Sequence, residues 1–149
     1  MSHDPSTPRR VLDEDDLRRL GAAVAGVFQG ESDIVAVYLY GSAARGEAAR
    51  DVDLGLLASG AVTPTRLRTF VEALYDRGAA PGPLDLDVRP LVGTAPRFRA
   101  TVVREGRVIF ERDPEARLAF EKRSLLDWLD FEPVWRKMRA RMLARWTDG

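Results

Sequence analysis

The chain contains no cysteine and a single histidine, His3. Without thiols it forms neither a disulfide nor a thiolate metal site, and a reducing, cytoplasmic setting fits that usage. His3 has no partner pattern around it and is read as inert. Net charge is missing too: 23 Lys and Arg balance 23 Asp and Glu. No overall field draws such a chain to nucleic acid or to a membrane, and direct nucleic-acid binding is not expected. No apolar run approaches the roughly 20 residues that span a bilayer. Residues 1–11 are polar, carry Pro5 and Pro8, and lack the apolar core of a signal peptide, so they read as a flexible tail.

What is present suits one soluble domain over residues 1–149, with 45% hydrophobic and 31% charged residues. No internal repeat is visible. Asp13 to Gln29 reads as a helix, with Leu17, Leu20, Val24, Val27 and Phe28 at helical spacing and an acidic first turn. Ile34 to Tyr40 is rich in β-branched and aromatic residues and predicts a buried strand. Gly41 and Ser42 end it, and Ser42 to about Glu47 can form a short helix. Asp51 to Leu57 alternates as a second strand. Thr63 to Arg77 reads as a helix stopped by Gly78, and residues 78–83 as a loop. Leu84 to Leu91 alternates again, Pro96 to Glu105 predicts a helix, and Arg107 to Glu111 a short strand. Pro114 to about Arg145 reads as helical with an interruption near Pro133. Helices alternating with strands imply an α/β or α+β fold, a small mixed sheet flanked by helices and followed by C-terminal helices.

Asp51 and Asp53 are separated by one residue on a strand, so both point to one face. Two like charges that close repel unless a cation sits between them. Carboxylates that meet substrate phosphates are the usual seat of a hard divalent ion such as Mg²⁺. The turn before them supplies the other half of a phosphate site. Gly41 lets backbone N–H groups approach a phosphate closely, Ser42 adds a hydroxyl, and Arg45 can pair with an anion. A third carboxylate from a neighbouring strand, Asp87 or Asp85, would complete the cluster and accept a proton. Each element alone is ordinary: Gly-Ser is a common turn, and alternating aspartates are a common solvated strand face. Their joint order gives them weight.

Read together, Gly41-Ser42-Ala43-Ala44-Arg45-Gly46, Asp51-Val52-Asp53 and Asp87 resemble the polymerase-β-type nucleotidyltransferases in their minimal (MNT) branch. The run Arg104-Glu105-Gly106-Arg107-Val108-Ile109-Phe110-Glu111-Arg112-Asp113 resembles the segment that follows the third aspartate there. Counting back from it favours Asp87 over Asp85. The resemblance covers roughly residues 34–113. It implies a polymerase-β-like fold, ATP as substrate, and two Mg²⁺ ions on Asp51, Asp53 and Asp87, with Gly41, Ser42 and Arg45 holding the triphosphate. It further implies an antitoxin that transfers AMP to a tyrosine of a HEPN ribonuclease toxin and assembles with it as a hetero-oligomer. Two departures stand out. The eight residues from Ala43 to Arg50 make a shorter loop than usual, and Arg50 stands where a serine is common. Arg50 can face solvent, a phosphate, or Asp51 itself. Two other readings stay open: AMP transfer to a small hydroxylated molecule of the aminoglycoside type, and a non-catalytic antitoxin that acts by binding alone.

Residues 114–149 carry a second signal. Trp135, Met138, Met142 and Trp146 recur at helical spacing, with Arg136, Lys137, Arg139 and Arg141 around them. The stripe reads as the core-facing side of an amphipathic helix, or as a partner surface, since Trp, Met and Arg are enriched at interfaces. Trp128 and Phe131 read as a separate contact ahead of the break at Pro133. Tyr38 and Tyr40 alternate before the Gly-Ser turn and are expected to pack, with Tyr40 able to border a nucleotide.

Overall fold

A computed structural model describes residues 8–147. Helix α1 (Glu14–Phe28) is followed by strand β1 (Ile34–Tyr40), a single helical turn α2 (Gly41–Ala44), strand β2 (Asp51–Ala58) and helix α3 (Pro64–Asp76). Strand β3 (Asp85–Pro90), helix α4 (Pro96–Glu105), strand β4 (Arg107–Glu111) and helix α5 (Pro114–Thr147) complete the chain. The expected mixed sheet forms in the order β3-β2-β1-β4, with β2 and β3 parallel and the other neighbours antiparallel.

The helix starts follow local chemistry. Asp13 and Asp16 form a reciprocal capping box at α1, at 2.8 and 3.0 Å. Thr63 caps α3 ahead of Pro64, and Asp113 accepts from the Ala116 amide at the start of α5. The tail expected over residues 1–11 falls largely on residues 1–7, His3 among them, which lie outside the described residues. Its last part is fixed. Arg10 and Ala49 exchange both backbone hydrogen bonds at 2.9 Å, and Arg10 Nη2 donates to both carboxylate oxygens of buried Asp16 at 2.7 and 2.8 Å.

The sheet has helices on both faces. On one, α1 and α3 close over Ile34, Val37, Leu39, Val52, Leu54 and Leu56, with Phe28 edge-on to Phe70 at 5.0 Å. Full burial of such side chains contributes roughly 1.5–3 kcal/mol each. On the other, α4, through Val102, and the first half of α5 cover Tyr38, Leu57 and Leu91. Along β2 that second face reads Asp51, Asp53, Gly55, Leu57. A Cβ on Gly55 would stand 2.9 Å from Leu91, so the core closes there, and the half-buried acids lie beyond its edge.

Three expectations for the C-terminal segment are corrected. Helix α5 runs unbroken through Pro133, so there is one C-terminal helix rather than several. Pro133 removes one backbone bond, to the Leu129 carbonyl. Leu129 is exposed and water can take that carbonyl, while a Glu132–Arg136 hydrogen bond of 2.9 Å spans the site. Trp128 is also not a separate contact, since it meets both Phe131 and Trp135, the latter at 5.8 Å across the proline. The core-facing reading of the tryptophan and methionine stripe does not hold either. Met138, Met142, Leu143 and Trp146 are all at least half exposed, because nothing in the sheet layer reaches past the first half of α5.

Candidate active site

The site begins where β1 runs out. Gly41 adopts φ +74°, a conformation that L side chains rarely take, and a Cβ there would lie 2.4 Å from Asp53 Oδ2. Glycine is required twice over, for the bend and for the carboxylate that leans on it. The turn α2 that follows sets Ser42 beside Asp51 and Asp53 in one cavity. Arg45 Nη2 donates to Ser42 Oγ at 3.3 Å, and its guanidinium pairs with Glu47 and Glu105 at 3.1 and 3.5 Å. As it stands, Arg45 is therefore held in ion pairs.

Strand register brings the acids together. In the parallel pair, Asp51 lies opposite Asp85 and Asp53 opposite Asp87, while Tyr40 of β1 lies opposite Asp53 on its other side. Register partners share a face, so Tyr40, Asp53 and Asp87 form a row across three strands. Burial and the charges of Asp87 and Asp51 lift the Asp53 carboxyl to about 6, against partial relief from Arg89 and Arg45. Burial and Asp53 push the Tyr40 phenol up to about 12, and its ring stands edge-on to Phe98 at 5.5 Å. Tyr38 is fully buried and donates to Glu121 at 2.9 Å, so of the two tyrosines only Tyr40 borders the acids. Asp85 is exposed at the corner and does not contribute to the lift of Asp53.

Asp51, Asp53 and Asp87 fit a hard divalent cation by their chemistry. All are oxygen donors, and burial first, then the neighbouring Asp87 and Asp51, make the charge on Asp53 costly without a cation. The side chains as placed do not yet close on one point: among the described residues no three acidic or histidine side chains already surround a metal position. Asp87 instead accepts from Arg89 at 3.4 and 3.2 Å. Alternation along β3 puts Arg89 on the face of Asp85 and Asp87, but nothing in the sequence marks it as a site residue.

Beside Asp53 opens a cavity of about 320 Å³ lined by Arg9, Ser42, Ala48, Ala49, Arg50, Asp51 and Asp53. Arg50 is half-buried rather than free on the surface, and its Nε is buried without a hydrogen-bond partner. Arg9 was not a sequence candidate, and no local signal marks it: a backbone bridge across about forty residues delivers it.

A sequence model of the family described as "Polymerase beta, Nucleotidyltransferase" matches residues 23–115. No curated protein matches by sequence. Among solved structures, a chain from the complex of tri-AMPylated Shewanella oneidensis HEPN toxin with MNT antitoxin superposes with a TM-score of 0.69 at 12% identity. That match covers 85% of this chain and 98% of the other. A chain from a toxin–antitoxin structure with AMP-PNP gives 0.70 at 14% identity, over 83% and 98% of the two chains. A chain from a toxin–antitoxin MntA-HepT structure gives 0.67 at 12%, over 85% and 98%. At these identities the likeness is one of fold.

Proposed function

We propose, for a chain that belongs to the polymerase beta nucleotidyltransferase family, that it is a Mg²⁺-dependent adenylyltransferase using ATP, with a tyrosine hydroxyl of a HEPN ribonuclease toxin as acceptor. The observation that carries the reading is the row of Asp53 and Asp87 across adjacent strands beneath Gly41. The neighbours that contain a tri-AMPylated toxin or AMP-PNP support the choice of acceptor and nucleotide.

Asp51, Asp53 and Asp87 would hold the magnesium, which supplies positive charge where the α-phosphate and the departing pyrophosphate gather negative charge. The backbone at Gly41, Ser42 and, once freed from Glu47, Arg45 hold the triphosphate. The acceptor oxygen forms a bond to the α-phosphorus, and the bond from that phosphorus to the bridging oxygen of pyrophosphate breaks. The hydroxyl proton passes to the carboxylate of Asp87, which stands beside Asp53 and is not among the residues lining the Arg9–Arg50 cavity. Tyr40 walls the acceptor side. The exposed second half of α5 is the partner surface in this reading: Met138, Met142, Leu143 and Trp146 face water around a cavity of about 390 Å³. Five cations in residues 136–145 rim it, so an acidic partner face suits it.

The hold of Arg89 on Asp87 favours one competing reading, neutralisation of a partner by binding alone. One experiment separates the two. Purified chain is incubated with Mg²⁺, ATP labelled on the α-phosphate, and the HEPN protein encoded beside it. Label on a toxin tyrosine, reduced at least about 100-fold in D53N, is the expected result. Toxin inhibition that survives D51A and D53A without any label would refute catalysis.

A further inference from the structure

Four arginines stand around the acids, and they divide into two kinds. Arg45 is neutralised by Glu47 and Glu105, and Arg89 by Asp87. Arg9 and Arg50 both line the cavity beside Asp53, and among the described residues neither pairs with an acid. The Nε of Arg50 is sealed from water with no acceptor. A buried donor left in that state costs about 1–3 kcal/mol, more when it carries charge. Arg9 arrives by a separate route. The paired backbones of Arg10 and Ala49 lay the leading segment along the loop, and Arg10 is anchored to Asp16 and to the Gly82 carbonyl at 3.1 Å. Arg9 is thereby set beside Arg50, in a segment outside the 23–115 span that the family matches.

The cavity therefore gathers two carboxylates, Ser42 and two guanidinium groups that pair with no acid among the described residues. A chain of phosphates suits that mixture. Its reacting end lies at the acids and its terminal phosphates at the arginines, which bind phosphate oxygens through forked, charge-assisted bonds. We infer that Arg9 and Arg50 form a subsite for the terminal phosphates of a nucleoside triphosphate, so that the chain grips the part of the nucleotide that leaves as pyrophosphate. The inference rests on the nucleotidyltransferase reading and adds the residues that select a triphosphate over shorter nucleotides.

Calorimetric titration of the full chain with inorganic tripolyphosphate, ATP and AMP, in Mg²⁺, tests it. R50Q and R9A should each weaken tripolyphosphate and ATP about 10-fold, and the double variant about 100-fold, while AMP binding changes less than about 2-fold. The salt dependence of tripolyphosphate binding should become shallower in both single variants. Thermal melting checks that R50Q folds; R9A is exposed, and decides alone if R50Q does not. If wild-type chain binds ATP and tripolyphosphate and the folded variants bind them equally well, the arginine subsite is wrong and the nucleotidyltransferase reading stands. If wild-type chain binds neither, the nucleotidyltransferase reading itself fails.

Discussion

The acidic corner at the start of β2 and β3 and the far half of α5 break the rules of folding in opposite ways. At the corner, carboxylates of one sign are gathered on a half-buried sheet face, and Asp53 is pushed to about 6 as a result. Along residues 134–146, apolar side chains stand in water: Trp146 is 85% exposed and Met142 56%. The first violation is locked in by strand register, which fixes Asp53 between Tyr40 and Asp87. The second is held by little more than Trp135, with Arg97 and Arg139 over its ring at 4.6 and 5.4 Å. Chemistry needs groups that cannot move, whereas a docking surface needs area and tolerates motion. On the proposed reading, transfer belongs to the corner and partner contact to the helix.

The assignment predicts that the two can be cut apart. M142E with W146A should weaken affinity for the proposed HEPN partner about 100-fold by calorimetry, because exposed Trp and Met anchors dominate such surfaces. The same variant should keep the wild-type melting temperature and ATP affinity, since both side chains are outside the core. Loss of ATP binding, or a lower melting temperature, would merge the two regions into one.

At the corner the expected effect on stability is smaller and of unusual sign. The Asp53 carboxyl sits at about 6 in the folded chain against 3.8 ordinarily. The folded chain thus keeps a proton that the unfolded chain releases, so stability falls as pH rises between about 4 and 6, and the loss is complete above that. Asparagine carries no charge to repel. D53N should therefore be more stable than wild type at pH ~7.5 by about 1 kcal/mol, discounted for the partial exposure of the carboxylate, and no more stable at pH ~4. Millimolar Mg²⁺ should raise the melting temperature of wild type and leave that of D53N unmoved. A D53N chain less stable than wild type at neutral pH would mean that the carboxylates support the fold.

Much of this was visible in the chain because it is local. Alternation placed Asp51 and Asp53 on one face, and polar starts and glycine stops bounded α1, α3 and α4 to within a residue. What alternation could not give is register. Asp85 and Asp87 share a face, and only the pairing of Asp53 with Asp87 sets one in the row and leaves the other at the exposed corner. Arg9 was invisible for the same reason, since a bridge to a distant loop delivers it. The helical stripe at 135, 138, 142 and 146 was legible as a stripe, but a periodic pattern carries no information about whether anything covers it.

Pro133 sharpens the comparison most finely. A proline inside a helix ordinarily costs about 3 kcal/mol, yet α5 runs continuously through one. The two agree if the helix beyond Pro133 opens locally instead of with the domain, because then its cost never enters the global transition. P133A restores the amide that would bond the Leu129 carbonyl. It should deepen the helical signal in far-UV circular dichroism and slow amide exchange over residues 134–146, while shifting global stability by less than about 0.5 kcal/mol. A rise of several degrees in the melting temperature would show the far half of α5 to be welded to the sheet. The opening contrast would then fail, because that surface would be part of the body that holds the acids rather than a loosely tethered arm.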